Sequence, residues 1–378
     1  MRIIKQADPL EGYLERQSEI DASIQDVLDK GNYILGERVK KFEAEFSNWL
    51  GVPHCVGVAN GTDAIEIALR ALDIGAGDAV FTVSHTAIAT IAGIERCGAH
   101  PVLADVDPLT YTMNPESLLE AIKNHKKYRP ACVLPVHLYG RPVEIAHIME
   151  IARRYGMAVV EDCAQAHGAE CDGRKAGAWG DAAAFSFYPT KNLGTYGDGG
   201  AVVTREPHVA ERLRKLRQYG WNEFRQSVMA GINSRLDELH AAILLVRLKY
   251  LKEDNARRIQ IATRYSAGLN KDNYLLPLSQ ENRIHVYHQY VIQTDERDAL
   301  KLFLMNNGIT TAIHYPVPVH LQPAYRGQID IGSSGLANTE KVCKRILSLP
   351  VYPQLSDEDV HFVIETMNDW AGSVRKNV

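Results

Sequence analysis

Lys191 is the residue whose surroundings most clearly suggest chemistry. It lies in the stretch SFYPTKNLGTYGDGG, after an apolar run, and four glycines follow it between residues 194 and 200. A lysine amine attacks a carbonyl carbon only in its neutral form, which burial favours. Glycines beside the amine leave space for a flat ring. The pattern therefore indicates a lysine that forms a Schiff base, and the alternative is an exposed lysine in an ordinary turn.

Asp162 is the second candidate, at the end of the apolar stretch MAVVED. It would lie at the carboxyl end of a buried strand, where open α/β sheets place their ligand contacts. A buried carboxylate needs a cation or a hydrogen-bond donor as its partner. A protonated pyridine nitrogen would be such a cation. The alternative is an aspartate that caps the next helix.

A metal site at the same place is not predicted. Asp162, Cys163, His167 and Cys171 offer permissible ligand types, but their spacing matches no common zinc pattern. In an extended chain, the side chains of Asp162 and Cys163 would also point to opposite faces. The loop around Lys191 likewise lacks the GxGxxG spacing that a dinucleotide site requires between a strand and a helix.

Two further features suit a ring that carries a phosphate. Gly61 and Thr62, in ANGTDA, follow a predicted strand and begin a helix, where free N–H groups and the helix dipole favour an anion. His85, in VSHTAIAT, follows another strand and could lie against a planar ring. The alternatives are an ordinary helix cap and a core histidine. Taken together with Lys191 and Asp162, these residues are the set that pyridoxal phosphate requires.

The elements that position these residues follow from hydrophobic periodicity. Strands alternate with helices up to about residue 205, which predicts a mostly parallel sheet covered on both faces. Predicted strands are 54–60, 78–83, 101–106, 131–137 and 157–162, and the clearest helices are 37–51, 62–75 and 145–156.

The pattern changes after residue 205. Residues 234–269 predict one long helix or two in tandem, which would join a large domain of residues 1–250 to a small domain of residues 251–378. In the small domain, a helix is predicted at 297–308 and strands at 285–294 and 310–317.

Composition excludes several other classes of protein. The formal net charge is −4 without a basic patch, so no nucleic-acid partner is expected. No apolar run has the length of a signal peptide or a membrane span, so we expect no membrane association. The six cysteines are scattered, which favours reduced thiols in a cytoplasmic protein.

The sequence resembles the DegT/StrS family of nucleotide-sugar aminotransferases, which are fold-type-I pyridoxal phosphate enzymes. The resemblance rests on the segments GNYILGERVKKFEAEFSNWLG, VANGTDAIEIALRAL, VEDCAQAHGA, SFYPTKNLGTYGDGGAV, GINSRLDELHAAIL and HYPVPVHLQPAY, in this order. It implies an aspartate-aminotransferase-like fold. This fold has a large, mostly parallel, seven-stranded α/β/α domain and a smaller C-terminal α+β domain.

The resemblance also implies roles for individual residues. Lys191 would form the Schiff base with pyridoxal 5'-phosphate, and Asp162 would pair with its pyridine nitrogen. The other residues implied to contact the cofactor are Gly61, Thr62, His85, Gln165, Ser186 and Asn233. The residues implied to contact the substrate are Tyr33, Tyr188, His314, Tyr315 and His320. Asn233 would reach the cofactor phosphate of the neighbouring subunit, which implies a homodimer with shared active sites.

The implied reaction moves an amino group from L-glutamate to a keto group of a nucleotide-linked deoxysugar. The product would be an amino sugar for a polysaccharide or a glycosylated natural product. The segment that contains Tyr188 resembles the branch of the family that acts on 3-keto sugars, in which a tyrosine or phenylalanine occupies this position. The branch that acts on 4-keto sugars more often has a histidine there. Amination at C4, a lyase or dehydratase with the same cofactor, and a non-catalytic regulator are the alternatives.

Overall fold

An eight-stranded sheet forms the centre of the protein. The computed structural model describes residues 3–376. The strands are β1 His54–Val58, β2 Asp78–Val83, β3 His100–Ala104, β4 Arg129–Val133, β5 Ala158–Asp162, β6 Glu170–Cys171, β7 Arg174–Lys175, β8 Ala182–Ser186, β9 Gly200–Thr204, β10 Arg283–Ile284, β11 Tyr290–Gln293, β12 Asp330–Ile331 and β13 Ile346–Leu349.

The helices precede, connect and follow these strands. They are α1 Pro9–Leu14, α2 Gln17–Lys30, α3 Glu37–Leu50, α4 Gly61–Ala71, α5 Ile88–Arg96, α6 Pro115–Asn124, α7 Ile145–Arg154, α8 Pro207–Leu216, α9 Glu238–Gly268, α10 Arg297–Asn306, α11 Ala337–Arg345 and α12 Asp357–Lys376, with 3₁₀ turns at Leu138–Gly140 and Val319–Leu321.

The order of strands in the sheet is β1-β9-β8-β5-β4-β2-β3-β12. All neighbouring pairs are parallel except β8–β9 and β1–β9, so β9 runs against the rest of the sheet. The carboxyl ends of β5 and β8 therefore lie side by side. This arrangement brings Asp162 and Ser186, the last residues of the two strands, to one edge of the sheet.

Both faces of the sheet are buried. Side chains alternate along β8, so that Ala182 and Ala184 pack into one apolar cluster while Ala183 and Phe185 pack into another. Helices α4 to α8 contribute to the first cluster, and α3 and α9 to the second. The predicted α/β architecture with helices on both faces is thus observed.

Most of the predicted elements are present, and two predictions in the C-terminal part are wrong. The predicted strand 310–317 is absent apart from a single bridge between Ala312 and Ser348. Pro316 and Pro318 lack the N–H groups that a sheet ladder needs. The predicted strand 285–294 is shortened to β11, which pairs with β13 in an antiparallel arrangement.

The division at residue 250 stays a prediction. Helix α9 passes through this position as one continuous helix of 31 residues. Strand β12, from the C-terminal part, adds to the main sheet beside β3. At the other end of the chain, Ile4 forms a parallel bridge with Ile309 and joins an apolar cluster with the second half of α9.

None of the described helices combines the length and the apolar character needed to cross a membrane. All six cysteines are free thiols, and only Cys97 is not fully buried.

Candidate active site

A cavity of about 380 Å³ lies at the carboxyl ends of β5 and β8. The start of α4 and residues of the C-terminal part complete its wall. It brings together nine of the predicted site residues: Gly61, Thr62, Asp162, Gln165, Ser186, Tyr188, Lys191, His314 and Tyr315.

Lys191 is half-buried, in a turn that follows β8. Its backbone N–H donates to the carbonyl of Tyr188 at 2.9 Å. Gly194 allows the loop to close, because a Cβ there would lie 2.5 Å from the same carbonyl oxygen. The Lys191 amine has no hydrogen bond or ion pair among residues 3–376. Burial lowers its pKa from 10.5 to about 8, although the negative charge of Asp162 opposes this shift.

Asp162 presents a buried carboxylate to the cavity. One oxygen accepts a hydrogen bond from Thr90 Oγ1 at 2.9 Å, and the other accepts from the backbone N–H of Ala164 at 3.1 Å. Burial raises the pKa of this carboxyl, while the two hydrogen bonds and the charge of Lys191 lower it. A cation placed against Asp162 would therefore stabilise its charged form.

The start of α4 faces the same cavity. Asn60 caps the helix, because its side-chain oxygen accepts from the N–H of Asp63 at 2.8 Å. The cap leaves the N–H groups of Gly61 and Thr62 for another acceptor. A Cβ on Gly61 would lie 2.8 Å from the Cβ of Ser186, so glycine permits the close approach of α4 to β8. These groups suit an anion such as a phosphate.

Gln165, His314 and Tyr315 form a second set of polar groups in the wall of the cavity. Gln165 accepts from the backbone N–H of Tyr139 at 2.7 Å and donates from Nε2 to the Tyr315 hydroxyl at 2.9 Å. Burial raises the pKa of Tyr315 to about 12 and lowers the pKa of His314 to about 4. Both side chains are therefore neutral at physiological pH.

His85 is not among the residues that line the cavity, and its predicted place against the cofactor ring stays a prediction. It is fully buried, with Nε2 2.8 Å from the Tyr139 hydroxyl and Nδ1 3.1 Å from the Cys343 sulfur. Burial lowers its pKa to about 3. The chain turns after β2, so Thr86 and Ala87 line the cavity in its place.

Three other predicted residues lie outside the cavity. His320 is buried, with Nδ1 2.7 Å from the Ser84 hydroxyl, so its predicted contact with the substrate is not supported by its position. Tyr33 and Asn233 are exposed on the surface. Their roles involve a substrate or a neighbouring subunit and stay predictions.

Asn60 is the helix cap that was considered for ANGTDA, whereas Thr90, His288 and Gln289 were not predicted as site residues. Thr90 is on the first turns of α5 and hydrogen-bonds to Asp162, which nothing in the local sequence indicates. His288 and Gln289 line the cavity but were included in a predicted strand. The available signal was the adjacent polar pair between Tyr287 and Tyr290.

One cluster with metal-ligating side chains occurs among the described residues, formed by His137, Glu161 and Cys163. Glu161 already accepts hydrogen bonds from His137 Nε2 at 3.0 Å and from three backbone N–H groups within residues 177–180 at 2.8–2.9 Å. Because this carboxylate is fully engaged, the cluster is explained as a buried hydrogen-bond network that holds β5.

The proteins that are similar to this chain in sequence include aminotransferases. The sequence matches the DegT/DnrJ/EryC1/StrS aminotransferase family over residues 15–368. It is 44% identical over 363 residues to the dTDP-3-amino-3,4,6-trideoxy-alpha-D-glucose transaminase of Streptomyces venezuelae, which covers 96% of this chain and 94% of the relative.

Solved structures agree with the fold. The structure of S. venezuelae DesV in complex with a ketimine intermediate is 43% identical, with a TM-score of 0.94, and the match covers 98% of this chain and 99% of that one. Bacillus subtilis ntda with bound cofactor PMP is 30% identical, with a TM-score of 0.86, and the match covers 94% and 82%. The predicted fold class is confirmed, with eight strands in the main sheet instead of seven because β12 adds beside β3.

Proposed function

This chain belongs to the DegT/DnrJ/EryC1/StrS aminotransferase family, and on that premise we propose that it moves an amino group from L-glutamate to a nucleotide-linked keto sugar. The keto group is at C3, and the cofactor is pyridoxal 5'-phosphate. The observation that carries the proposal is that one cavity holds both the buried Asp162 carboxylate and the Lys191 amine, which has no hydrogen bond or ion pair among residues 3–376.

The residues of the cavity fit this cofactor. The Asp162 carboxylate accepts hydrogen bonds from two neutral donors and would form an ion pair with the protonated pyridine nitrogen. The free N–H groups of Gly61 and Thr62, together with the Ser186 hydroxyl, would hold the phosphate. When bound, the cofactor would supply a carbonyl for Lys191 and a ring that accepts electrons.

Each side chain has a defined task in such a site. Lys191, with its pKa lowered to about 8, can hold or release a proton near neutral pH and can therefore move one between carbon atoms. Gln165 and Tyr315 are neutral, hydrogen-bonded to one another and able to orient a bound ring. His314 is held by Ser348, with Nδ1 2.9 Å from its hydroxyl, and presents a neutral imidazole.

Tyr188 supports amination at C3. It lines the mouth of the cavity and is 51% exposed, so it lies where a sugar would enter. Its bulk and hydroxyl would help to select the ketone presented to the reacting centre. The similar S. venezuelae transaminase is named for a sugar that bears its amino group at C3.

The working unit is a homodimer with shared sites. Asn233 is exposed and does not line the cavity of its own chain, which leaves it free to contact a neighbour. Exposed apolar side chains lie close to it in sequence, with Phe224 74% and Val228 56% exposed. Such residues are suited to burial between subunits.

The proposal is tested with purified protein, L-glutamate and paired 3-keto and 4-keto nucleotide deoxysugars. We expect a new amine at C3, located by NMR of the product. Amination at C4 would contradict the regiochemistry alone, whereas elimination without nitrogen transfer would indicate a lyase or dehydratase. No turnover of any keto sugar in the panel would contradict the proposed substrate class.

Borohydride reduction tests the role of Lys191 separately. It should fix a pyridoxyl group on the peptide that contains Lys191. Lys191→Ala should remove both the label and turnover, while Lys127→Ala, which changes an exposed lysine, should remove neither. A label on another lysine would contradict the assignment.

A further inference from the structure

A second cavity, of about 200 Å³, shares no lining residue with the candidate active site. Its wall is formed by the residues after the 3₁₀ turn at Leu138–Gly140, the second half of α9 and the segment that leads into β11. Two arginines, Arg141 and Arg283, are in this wall, and none of the described residues that line it is an aspartate or a glutamate. The wall therefore carries positive charge, for which the proposed reaction has no use.

Arg141 is the buried charge in this wall. It is 4% exposed. Its Nη1 donates to the backbone carbonyl of Leu278 at 2.6 Å, and its Nη2 donates to Gln280 Oε1 at 2.8 Å. Both acceptors are neutral, and Arg141 forms no ion pair within residues 3–376. A buried cation without an anionic partner is energetically unfavourable, so an anion from outside the chain would stabilise it.

The guanidinium of Arg141 also has unused donors. A guanidinium carries five N–H groups, and two hydrogen bonds occupy two of them, which leaves three. One of the three is on Nε, which is buried and has no hydrogen-bond partner among the described residues. Neighbouring N–H groups of an arginine match two oxygens of one phosphate or carboxylate group. Such an anion would supply the acceptors that the chain itself does not provide.

The surrounding charges also favour an anion. Burial lowers the pKa of Arg141, and the positive charge of Arg283 lowers it further. The carboxylates of Asp107 and Glu144 oppose this shift without forming an ion pair with Arg141, and Glu144 is already paired with Arg283. A negative charge in the cavity would reduce the repulsion between the two guanidinium groups.

The other polar groups of the wall favour a phosphate over a carboxylate. The Ser279 hydroxyl lines the cavity, and Gln280 uses its oxygen for Arg141, so its amide nitrogen remains a donor. The oxygens of a phosphate point in several directions and can accept from donors on different sides, whereas a carboxylate has two oxygens in one plane. A wall with two arginines and two neutral donors therefore suits a phosphate group.

We propose that this cavity binds a phosphate group, either as inorganic phosphate or as part of a phosphate ester, with Arg141 as the main contact. The site goes beyond the proposed function and does not depend on it. It is next to the candidate active site, because the segment 285–289 contributes residues to both walls.

Binding is tested by isothermal titration calorimetry of the full chain with inorganic phosphate at constant ionic strength. The protein is first loaded with pyridoxal phosphate and freed of the excess, so that the phosphate position expected at α4 is filled. Arg141→Gln removes the buried charge and should weaken phosphate binding by about tenfold or more. The control is Arg326→Gln, which removes the same charge from an exposed arginine and should leave phosphate binding unchanged.

A purely structural role for Arg141 predicts a different result. Its bonds to Leu278 and Gln280 hold one loop, so Arg141→Gln would then lower the unfolding temperature equally with and without phosphate. Under the proposal, phosphate raises the unfolding temperature of the wild type and has little effect on that of the variant. Should Arg141→Gln fail to fold, Arg283→Gln takes its place and should also weaken phosphate binding.

Methyl phosphate and acetate, used instead of inorganic phosphate, identify the chemical class of the ligand. Binding of either phosphate compound that is lost in Arg141→Gln supports the proposal, and the comparison of the two separates a free ion from an ester. Binding of acetate alone, no phosphate binding by the wild type, or equal affinity in the wild type and the folded arginine variant would overturn it. A failure to transfer amino groups would contradict the proposed function and leave these outcomes unchanged.

Discussion

Replacing Asp162 with asparagine should lower the pH at which Lys191 loses its proton. Burial lowers the pKa of the lysine, whereas the carboxylate raises it by stabilising the ammonium, so loss of the negative charge leaves burial less opposed. The substitution preserves the shape of the side chain. The midpoint of the Lys191 titration should therefore move from about 8 to a lower value.

The size of the effect is bounded by the wild-type value. At pH 7, an amine with a pKa of 10.5 is neutral in about one molecule in 3,000, and one with a pKa of about 8 in about one in 11. Burial thus increases the reactive form of Lys191 about 300-fold. Because the neutral fraction cannot exceed one, Asp162→Asn can increase labelling at pH 7 by at most about 11-fold.

Competitive acylation across pH 6–11, followed by peptide mass spectrometry, measures this titration. The protein is treated with hydroxylamine beforehand to release any carbonyl held by a lysine, and circular dichroism checks that it stays folded. The hydrogen bond to Asp330 raises the pKa of exposed Lys127, so this lysine should titrate at higher pH than Lys191 in both proteins. A wild-type midpoint near 10.5, or a higher midpoint in the variant than in the wild type, would refute the reasoning.

Three further outcomes are expected. Gly61→Ala should weaken the binding of pyridoxal phosphate by about tenfold or more, as measured by equilibrium dialysis, because the new Cβ would lie 2.8 Å from a side chain of β8. The control is Gly12→Ala, where the nearest atom is at 3.8 Å, and it should leave binding unchanged. Glu161→Gln should lower the free energy of unfolding by about 3 kcal/mol, since it perturbs a buried carboxylate that accepts four hydrogen bonds, and an unchanged urea midpoint would contradict this. Mixing Lys191→Ala with Asn233→Ala chains should restore about a quarter of wild-type activity, as half of the dimers would carry one intact site; no recovery despite proven subunit exchange would argue against shared sites.

The residues that sequence reasoning placed well occupy positions set by local structure. Asp162 ends a strand, Gly61 begins a helix, and Lys191 follows a strand closely, so periodicity alone locates them near one sheet edge. The parallel order of β5 and β8 then brings the first and third together. Local pattern and global topology agree at these positions.

The features that local sequence patterns do not reveal depend on distant partners or on irregular backbone. The ring of His85 is held by Tyr139 and Cys343, which are 54 and 258 residues away in the chain. His288 lines the cavity directly after Tyr287, whose φ is 44°, and no glycine or proline marks that turn. The strand predicted at 310–317 is reduced to the bridge between Ala312 and Ser348, because Pro316 and Pro318 lack the N–H groups that a sheet ladder needs.

The bridge between Ile4 and Ile309 has a consequence for biosynthesis. Ile4 donates to the carbonyl of Gly308 and accepts from the N–H of Thr310, at 2.8 and 2.9 Å. Residues near the amino terminus must therefore wait for more than three hundred others to be translated, which takes on the order of 15–60 s at bacterial and eukaryotic speeds. During this interval the apolar side chain of Ile4 lacks its final neighbours on the ribosome. The apolar cluster that Ile4 forms with the second half of α9 can therefore reach its native packing only late in translation or after the chain leaves the ribosome.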